Sequence, residues 1–123
     1  MGEKERNYII TYKGKEILYF DHSGLGEDDL FNNVKAAFRI EDEYKGKDIL
    51  AIANWVDTTM TKETMDYVKS DEVVRINKKI KKTALLGFTG IKKIFLNVYN
   101  KLTGDKAKAF NTEEEAKEWL VQD

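Results

Sequence analysis

Two short runs of apolar residues, at positions 49–53 and 84–88, place the strongest constraint on how this chain can fold. Neither run alternates apolar with polar residues, and each is too short for a typical helix. Such runs are typical of strands buried on both faces of a largely parallel sheet. A helical pattern follows each run, and strands that alternate with helices are joined by right-handed crossovers. The sequence therefore predicts an α/β domain with a mainly parallel sheet.

The segments before these runs add a hairpin and a first helix. Residues 8–12 and 16–20 are rich in β-forming residues and are separated by a Lys-Gly turn, so they predict an antiparallel pair of strands. A helix of about 15 residues is expected from its apolar spacing. It should start near Glu27 or Asp28, because acidic residues favour the positive end of a helix dipole. Gly46 is expected to end it.

Three further helices and a fifth strand are expected along the chain. One helix covers residues 62–77, with Thr61 as a candidate N-cap. A short strand at 106–110 precedes the last helix, which starts with a Thr-x-x-Glu capping box at Thr112. Between them lies the clearest amphipathic pattern of the chain, typical of a helix packed on a core; its apolar residues are Ile91, Ile94, Phe95, Val98 and Leu102. The predicted order is ββαβαβαβα, one five-stranded, mostly parallel sheet with an antiparallel first strand.

The charge, cysteine and histidine content excludes several classes of site. The 123 residues suit one domain, 1–123, with residues 1–6 as a flexible tail. A net charge of −1 argues against a nucleic-acid-binding protein. The chain has no cysteine and one histidine, His22, which excludes thiolate nucleophiles and metal centres built on several Cys or His ligands. No apolar run is long enough to span a bilayer, so a cytoplasmic protein without metal or other cofactor is expected.

Three segments of the chain resemble STAS domains, a fold shared by anti-sigma-factor antagonists and the cytoplasmic tails of sulfate-type transporters. The likeness is to the small, stand-alone STAS-like proteins of prokaryotes. It is carried by residues 12–21 with 23–25, by 87–94 and by 110–120. The resemblance implies a superhelix of βα units. It also implies a role in regulation or binding, and no enzymatic activity.

The resemblance also implies candidate phosphorylation sites. In signalling STAS domains a kinase modifies the serine of an Asp-Ser-x-Gly motif that follows the central strand. The matching segment here is Asp57-Thr58-Thr59-Met60, in which threonine replaces serine and the glycine is absent. Thr58 and Thr59 are therefore candidates, and Ser23 is a third. An Asp-His-Ser-Gly segment around Ser23 matches the motif better by letters but lies one βα unit too early.

Two strand-to-helix loops form the candidate ligand or partner surface, since ligands of open α/β sheets bind at the carboxyl ends of strands. Regulatory binding of a protein partner is the leading hypothesis for the function. The partner could also be a second copy of the chain, bound through the exposed edge of the first strand. The residues of this candidate surface are Trp55, Asp57, Thr58, Thr59, Thr61, Phe88, Thr89, Gly90, Lys92 and Lys93.

Three other segments have both a functional and a structural interpretation. Residues 87–93 either bind an anion through free helix amides and two lysines or form a tight turn with solvated lysines. Asp21, His22 and Ser23 are either parts of a catalytic triad or residues of a turn. The basic run at 78–82 either faces an acidic partner or is a solvated connection.

The alternative function is that of a carrier or sensor of a small apolar or anionic ligand held between the helices and the sheet. Lipid-carrying folds of the CRAL-TRIO type are structurally related to STAS domains. Trp55, Tyr67, Tyr99 and Trp119 are the candidate aromatic residues of such a pocket. An apolar cavity of roughly a few hundred cubic ångströms would favour this hypothesis, and a fully packed core would oppose it.

Overall fold

The β-rich runs of the sequence form strands that lie side by side in chain order. The computed structural model describes residues 6–122. Within this range one sheet has the order β1-β2-β3-β4-β5. Its strands are β1 (Asn7–Tyr12), β2 (Lys15–Asp21), β3 (Ile49–Asn54), β4 (Ile80–Leu86) and β5 (Ala107–Phe110).

The first strand pair is antiparallel and the other pairs are parallel, as the sequence predicts. A two-residue turn joins β1 to β2, and both turn residues, Lys13 and Gly14, have positive φ. Such a turn matches the twist of a hairpin. The predicted flexible tail lies outside the described residues except for Arg6, whose Nη1 donates to the backbone oxygens of Asp21 (3.2 Å) and Ser23 (3.0 Å).

The second predicted helix is divided in two, so the order is ββαβααβαβα. Ser70 interrupts it, because its hydroxyl accepts a hydrogen bond from the amide of Val73 at 3.4 Å and starts a new helix. The first helix runs two residues beyond the predicted length and ends before Gly46. The helices are α1 (Glu27–Glu43), α2 (Lys62–Val68), α3 (Asp71–Asn77), α4 (Ile91–Thr103) and α5 (Glu113–Val121).

Helices cover both faces of the sheet, which explains the continuous apolar runs in β3 and β4. Helices α1, α2 and α4 bury side chains against one face, and α3 packs against α1 and α4. Right-handed crossovers in one direction across the sheet place successive helices on the same face. Helix α5 lies on the other face, where Ala116 and Leu120 are fully buried and Trp119 packs on Phe110 with ring centroids 5.3 Å apart. The predicted docking of α5 is therefore present.

Of the five residues of the predicted apolar stripe of α4, Phe95 packs on the core and the other four do not. Lys92, Leu96 and Thr103 are the buried residues of this helix, and Phe95 and Tyr99 are partly buried beside them. The other apolar residues of the stripe face solvent, with exposed fractions of 70% for Ile91, 67% for Ile94, 45% for Val98 and 49% for Leu102. The spacing does place these residues on one side of α4, but the direction in which that side faces depends on how α4 is anchored.

Candidate functional site

The loops that follow β2, β3 and β4 meet at the carboxyl edge of the sheet. The amide of His22 donates to Asn54 O at 2.9 Å, and the amide of Gly24 donates to Val56 O at 3.0 Å. The amide of Trp55 donates to Leu86 O at 2.8 Å. Backbone hydrogen bonds therefore connect the two loops that were predicted to form one surface.

Lys92 is buried, which corrects the expectation that it is either an anion-binding or a solvated lysine, whereas the turn glycines have positive φ and Lys93 is exposed. Lys92 Nζ donates to Trp55 O and Gly87 O, each at 3.0 Å, and to Thr58 Oγ1 at 3.4 Å. Burial lowers the pKa of Lys92, and the nearby Asp57 opposes that shift. The three hydrogens of an ammonium group are thus matched by three acceptors. Lys92 anchors the two loops and offers no free donor to an anion.

Several residues of the predicted surface are buried. Trp55 lies between two rings, with centroid distances of 4.8 Å to His22 and 5.6 Å to Phe88. Thr58 is buried and its Oγ1 donates to Trp55 O at 2.7 Å, whereas the neighbouring Thr59 is exposed. The members of the predicted surface that remain exposed are Asp57, Thr59, Thr89, Gly90 and Lys93.

Thr61 takes the structural role that the sequence suggested for it. Its Oγ1 accepts a hydrogen bond from the amide of Thr64 at 3.2 Å and caps α2. This contact satisfies one of the free amides at the start of the helix.

The Asp21-His22-Ser23 segment forms a turn. Asp21 Oδ1 accepts hydrogen bonds from the amide of Ser23 at 3.0 Å and from its hydroxyl at 2.6 Å. The His22 ring points elsewhere and pairs with Asn33 at 2.9 Å from its Nδ1. Burial lowers the pKa of His22 to about 4, so the ring is neutral near pH 7. The carboxylate, imidazole and hydroxyl do not form the chain of contacts that a triad requires.

The basic run at 78–82 also has structural partners. Lys79 Nζ donates to Asp42 O and Tyr44 O, each at 2.7 Å, at the carboxyl end of α1. Lys82 Nζ donates to Trp119 O and Gln122 O, each at 2.8 Å, at the carboxyl end of α5. Cations at helix carboxyl ends satisfy free carbonyls and the helix dipole. These two lysines therefore hold helices on the sheet.

An apolar cavity lies between the sheet and the helices α1 and α4. Its volume is about 70 Å³, which is smaller than the few hundred cubic ångströms that a carrier was expected to show. Two of the four aromatic residues predicted for such a pocket line it. Its walls include Phe20, Val34, Ala37, Ala53, Trp55, Leu85, Phe88, Phe95, Leu96 and Tyr99, and its polar side chains are His22, Glu41 and Thr83.

The other two predicted aromatic residues lie elsewhere. Tyr67 packs edge-on against Phe31 and Phe38, with ring centroids 5.9 and 6.0 Å away. Trp119 is on the opposite face of the sheet.

Glu41 is the functional candidate that the sequence analysis missed. It is 3% exposed, lines the cavity, and receives no hydrogen bond from residues 6–122. Burial raises its pKa to about 8, and the charge of Lys79 only partly opposes the shift. A carboxyl group in this setting is mainly protonated at pH 7. The sequence did contain a sign that Glu41 is buried, because position 41 continues the three- and four-residue spacing of the apolar stripe of α1.

A second polar group near the cavity also has no partner. The indole Nε1 of Trp55 is buried without a hydrogen-bond acceptor among the described residues. Buried donors are nearly always paired with protein or with water. Tyr99, by contrast, donates its hydroxyl to Asn77 Oδ1 at 3.1 Å. The cavity thus combines apolar walls with two polar groups that have no hydrogen-bond partner among residues 6–122, the Glu41 carboxyl and the Trp55 indole N–H.

The described part of the chain has neither a cluster of metal-ligating side chains nor a membrane-spanning helix. Within residues 6–122, no three His, Asp or Glu side chains lie together as metal ligands would. None of the helices in the same range is both long enough and apolar enough to cross a membrane.

Comparison with known proteins rests on structure, because no family model and no curated protein matches the sequence. A solved structure matches over nearly its full length: an uncharacterised protein from the DUF3478 family with a SpoIIAA-like fold, from Shewanella loihica PV-4. The TM-score is 0.67 at 20% identity, over 94% of this chain and 92% of the other. The fold is SpoIIAA-like. It is the STAS-like fold that the sequence segments indicated, and at this identity the likeness establishes the fold alone.

Proposed function

We propose that this STAS-like domain acts by binding, without catalysis, and that it binds a small, largely apolar and uncharged molecule in the cavity beside α4. The observation that carries the proposal is the buried carboxyl group of Glu41, which lines the apolar cavity and receives no hydrogen bond from residues 6–122. Buried polar groups without partners cost free energy, and a bound molecule that supplies a hydrogen bond removes that cost.

The chemistry of the walls favours a neutral molecule. Among the described residues that line the cavity, none is a lysine or an arginine. A bound anion would therefore meet apolar side chains and the Glu41 carboxyl group without a compensating cation. An alcohol or amide can accept a hydrogen bond from the protonated Glu41 instead. Of the two ligand classes considered from the sequence, apolar or anionic, the cavity favours the apolar one.

The size of the cavity limits what it can hold in this conformation. The volume of about 70 Å³ is near half that of an engineered cavity of about 150 Å³ that binds benzene. A molecule of a few carbons fits as the protein stands. A longer chain requires an outward movement of α4, which supplies the wall residues Phe95, Leu96 and Tyr99.

The test uses two small molecules that differ in charge, 1-butanol and butyrate, and the two tryptophan indole signals in a ¹⁵N–¹H correlation spectrum. We expect 1-butanol to shift the Trp55 indole signal in a saturable way and butyrate to leave it unchanged. The signal of Trp119 is an internal control, because this residue lies on the opposite face of the sheet. Equal responses to both molecules, or no saturable shift with 1-butanol, would contradict the proposal.

A matched pair of variants locates the binding. Ala37 lines the cavity, and its neighbour Ala36 on the same helix is equally buried but is outside the lining. Ala37→Val places two more methyl groups in the cavity and should weaken 1-butanol binding about tenfold, by overpacking. Ala36→Val should keep the wild-type affinity. Thermal melts of both proteins establish that they are folded.

Regulatory binding of a protein partner is the second candidate, and the exposure of Val56 favours it. This apolar side chain is 41% exposed at the carboxyl edge of the sheet, beside the exposed residues Asp57 and Thr59. Val56→Asp should abolish the capture of any partner that uses this edge while leaving the 1-butanol shift of Trp55 intact. If affinity capture with the variant retains every partner of the wild type, this surface is not the binding site.

A further inference from the structure

Four apolar side chains of α4 face solvent in one line. Ile91, Ile94, Val98 and Leu102 are exposed by 70, 67, 45 and 49%, and their spacing of three or four residues places them on one side of the helix. We call these residues the α4 stripe. Single exposed apolar side chains are ordinary, but a contiguous set marks a surface that something covers.

Helix α4 and the segment before it are basic, although the chain as a whole has a net charge of −1. Residues 73–104 include lysines and an arginine but no aspartate or glutamate. The exposed Lys101 borders the stripe, three residues beyond Val98, and the exposed Lys93 lies farther round the helix in the same row of four-residue spacing. Asn77 Nδ2 donates to Thr103 O at 3.3 Å, which brings the adjacent, exposed Lys78 to the carboxyl end of α4.

We propose that α4 contacts the surface of a bilayer containing anionic phospholipid, with the α4 stripe at the boundary between headgroups and acyl chains. Helices that lie in this plane combine an apolar side with lysines that meet the phosphates. The 13 residues of α4 extend about 20 Å at a rise of 1.5 Å per residue. This inference rests on the outer side of α4 and is independent of what the cavity binds.

A second copy of the chain is a poorer occupant of the α4 stripe. In a two-fold symmetric pair the same surface meets itself. The rows containing Lys93 and Lys101 would then approach each other, and α4 carries no acidic residue to pair with them. Anionic lipid headgroups supply the opposite charge and at the same time cover the apolar side chains.

The experiment is vesicle flotation, with phosphatidylcholine vesicles that contain about 30 mol% phosphatidylglycerol and with vesicles of phosphatidylcholine alone. The wild type should float with the anionic vesicles, less so at high salt, and weakly with the neutral ones. Lys93→Gln with Lys101→Gln should lower partitioning about fivefold per lysine, roughly 25-fold together. Ile94→Glu should abolish binding, since it places a carboxylate in the middle of the stripe.

Two control variants make the same kinds of substitution on other surfaces of the protein. Ile9→Glu introduces a carboxylate at an apolar residue of β1 that is 52% exposed. Lys45→Gln with Lys47→Gln removes two exposed lysines between α1 and β3. Both controls should bind anionic vesicles like the wild type. The proposal is overturned if the wild type does not bind them, or if the Ile9 and Ile94 variants behave alike. It is also overturned if light scattering shows a wild-type dimer that Ile94→Glu dissociates, because a second copy then covers the stripe.

Discussion

Gly87→Ala is expected to destabilise the protein by about 3 kcal/mol or more, because two separate costs add at this position. Gly87 has a φ of +74°, a conformation that residues with a Cβ atom adopt only under strain. A Cβ added there would lie 2.6 Å from the backbone N and Cα of Val56. Backbone atoms cannot rotate away as a side chain can.

The loops are also held too firmly to relieve the clash. The amide of Trp55 donates to Leu86 O at 2.8 Å, and Lys92 Nζ binds the carbonyls of both Trp55 and Gly87 at 3.0 Å. Urea unfolding at constant pH measures the loss of stability as a lower midpoint with an unchanged slope.

Gly90→Ala separates the two costs. Gly90 has a φ of +60°, but a Cβ there would meet nothing within 4 Å. This variant should lose about 2 kcal/mol, the cost of the strained conformation alone, because φ +60° with ψ −131° lies outside the left-handed helical region. Equal losses for the two variants would show that the close approach to Val56 is not a constraint in solution.

The second large effect is a decline of stability from pH 6.5 to 8, of about 2 kcal/mol, that depends on Glu41. Burial raises the pKa of Glu41 from 4.5 to about 8. The folded protein therefore holds a proton that the unfolded chain releases above pH 4.5. This contribution to stability is complete below pH 4.5 and is lost as the pH rises through 8.

His22 acts in the opposite direction over a lower range. Burial lowers the pKa of His22 from 6.5 to about 4. The unfolded chain therefore binds a proton below pH 6.5 that the folded protein does not bind until the pH falls to about 4. Stability due to His22 is present above pH 6.5 and is lost as the pH falls towards 4. Between pH 4.5 and 6.5 the two groups offset each other, and above pH 6.5 the effect of Glu41 stands alone.

Glu41→Gln should remove the decline, because the amide does not titrate and has nearly the shape of the protonated acid. Urea unfolding at a series of pH values should show a flatter profile for this variant between pH 6.5 and 8. The matched control is Glu43→Gln, on the same helix but exposed, which should follow the wild-type profile. A wild-type slope retained in Glu41→Gln would mean that Glu41 is ionised in the folded protein.

Local pattern was sufficient to predict most of the architecture. Residues 49–53 lie within β3, and residues 84–86 of the second run form the buried end of β4, because an uninterrupted apolar run has no polar face to present to water. The strand β4 starts four residues before that run and ends two residues before the run does. Thr112 caps α5 by accepting the amide of Glu115 at 3.2 Å, as the capping motif predicts. One boundary was missed, since Ser70 starts a new helix within a pattern that reads as continuous.

The candidate site was less predictable, because its chemistry depends on burial. Lys92 and Lys93 are neighbours of the same type, yet one is buried among three oxygens and the other is exposed. Glu41 is one of many acidic residues in the chain, and only its position against the sheet raises its pKa. Sequence spacing gives the side of a helix on which a residue lies, but it does not show whether that side packs on the core or faces solvent.

The sequence by itself determined the order of strands and helices, the parallel sheet and the existence of an apolar stripe on α4. These follow from local periodicity and from the handedness of the chain. Only the tertiary structure decided that the stripe faces outwards, that Lys92 joins two loops, and that Glu41 lines a cavity. Lys92, Leu96 and Thr103 anchor the other side of α4, and such anchoring is set by contacts between segments distant in the sequence.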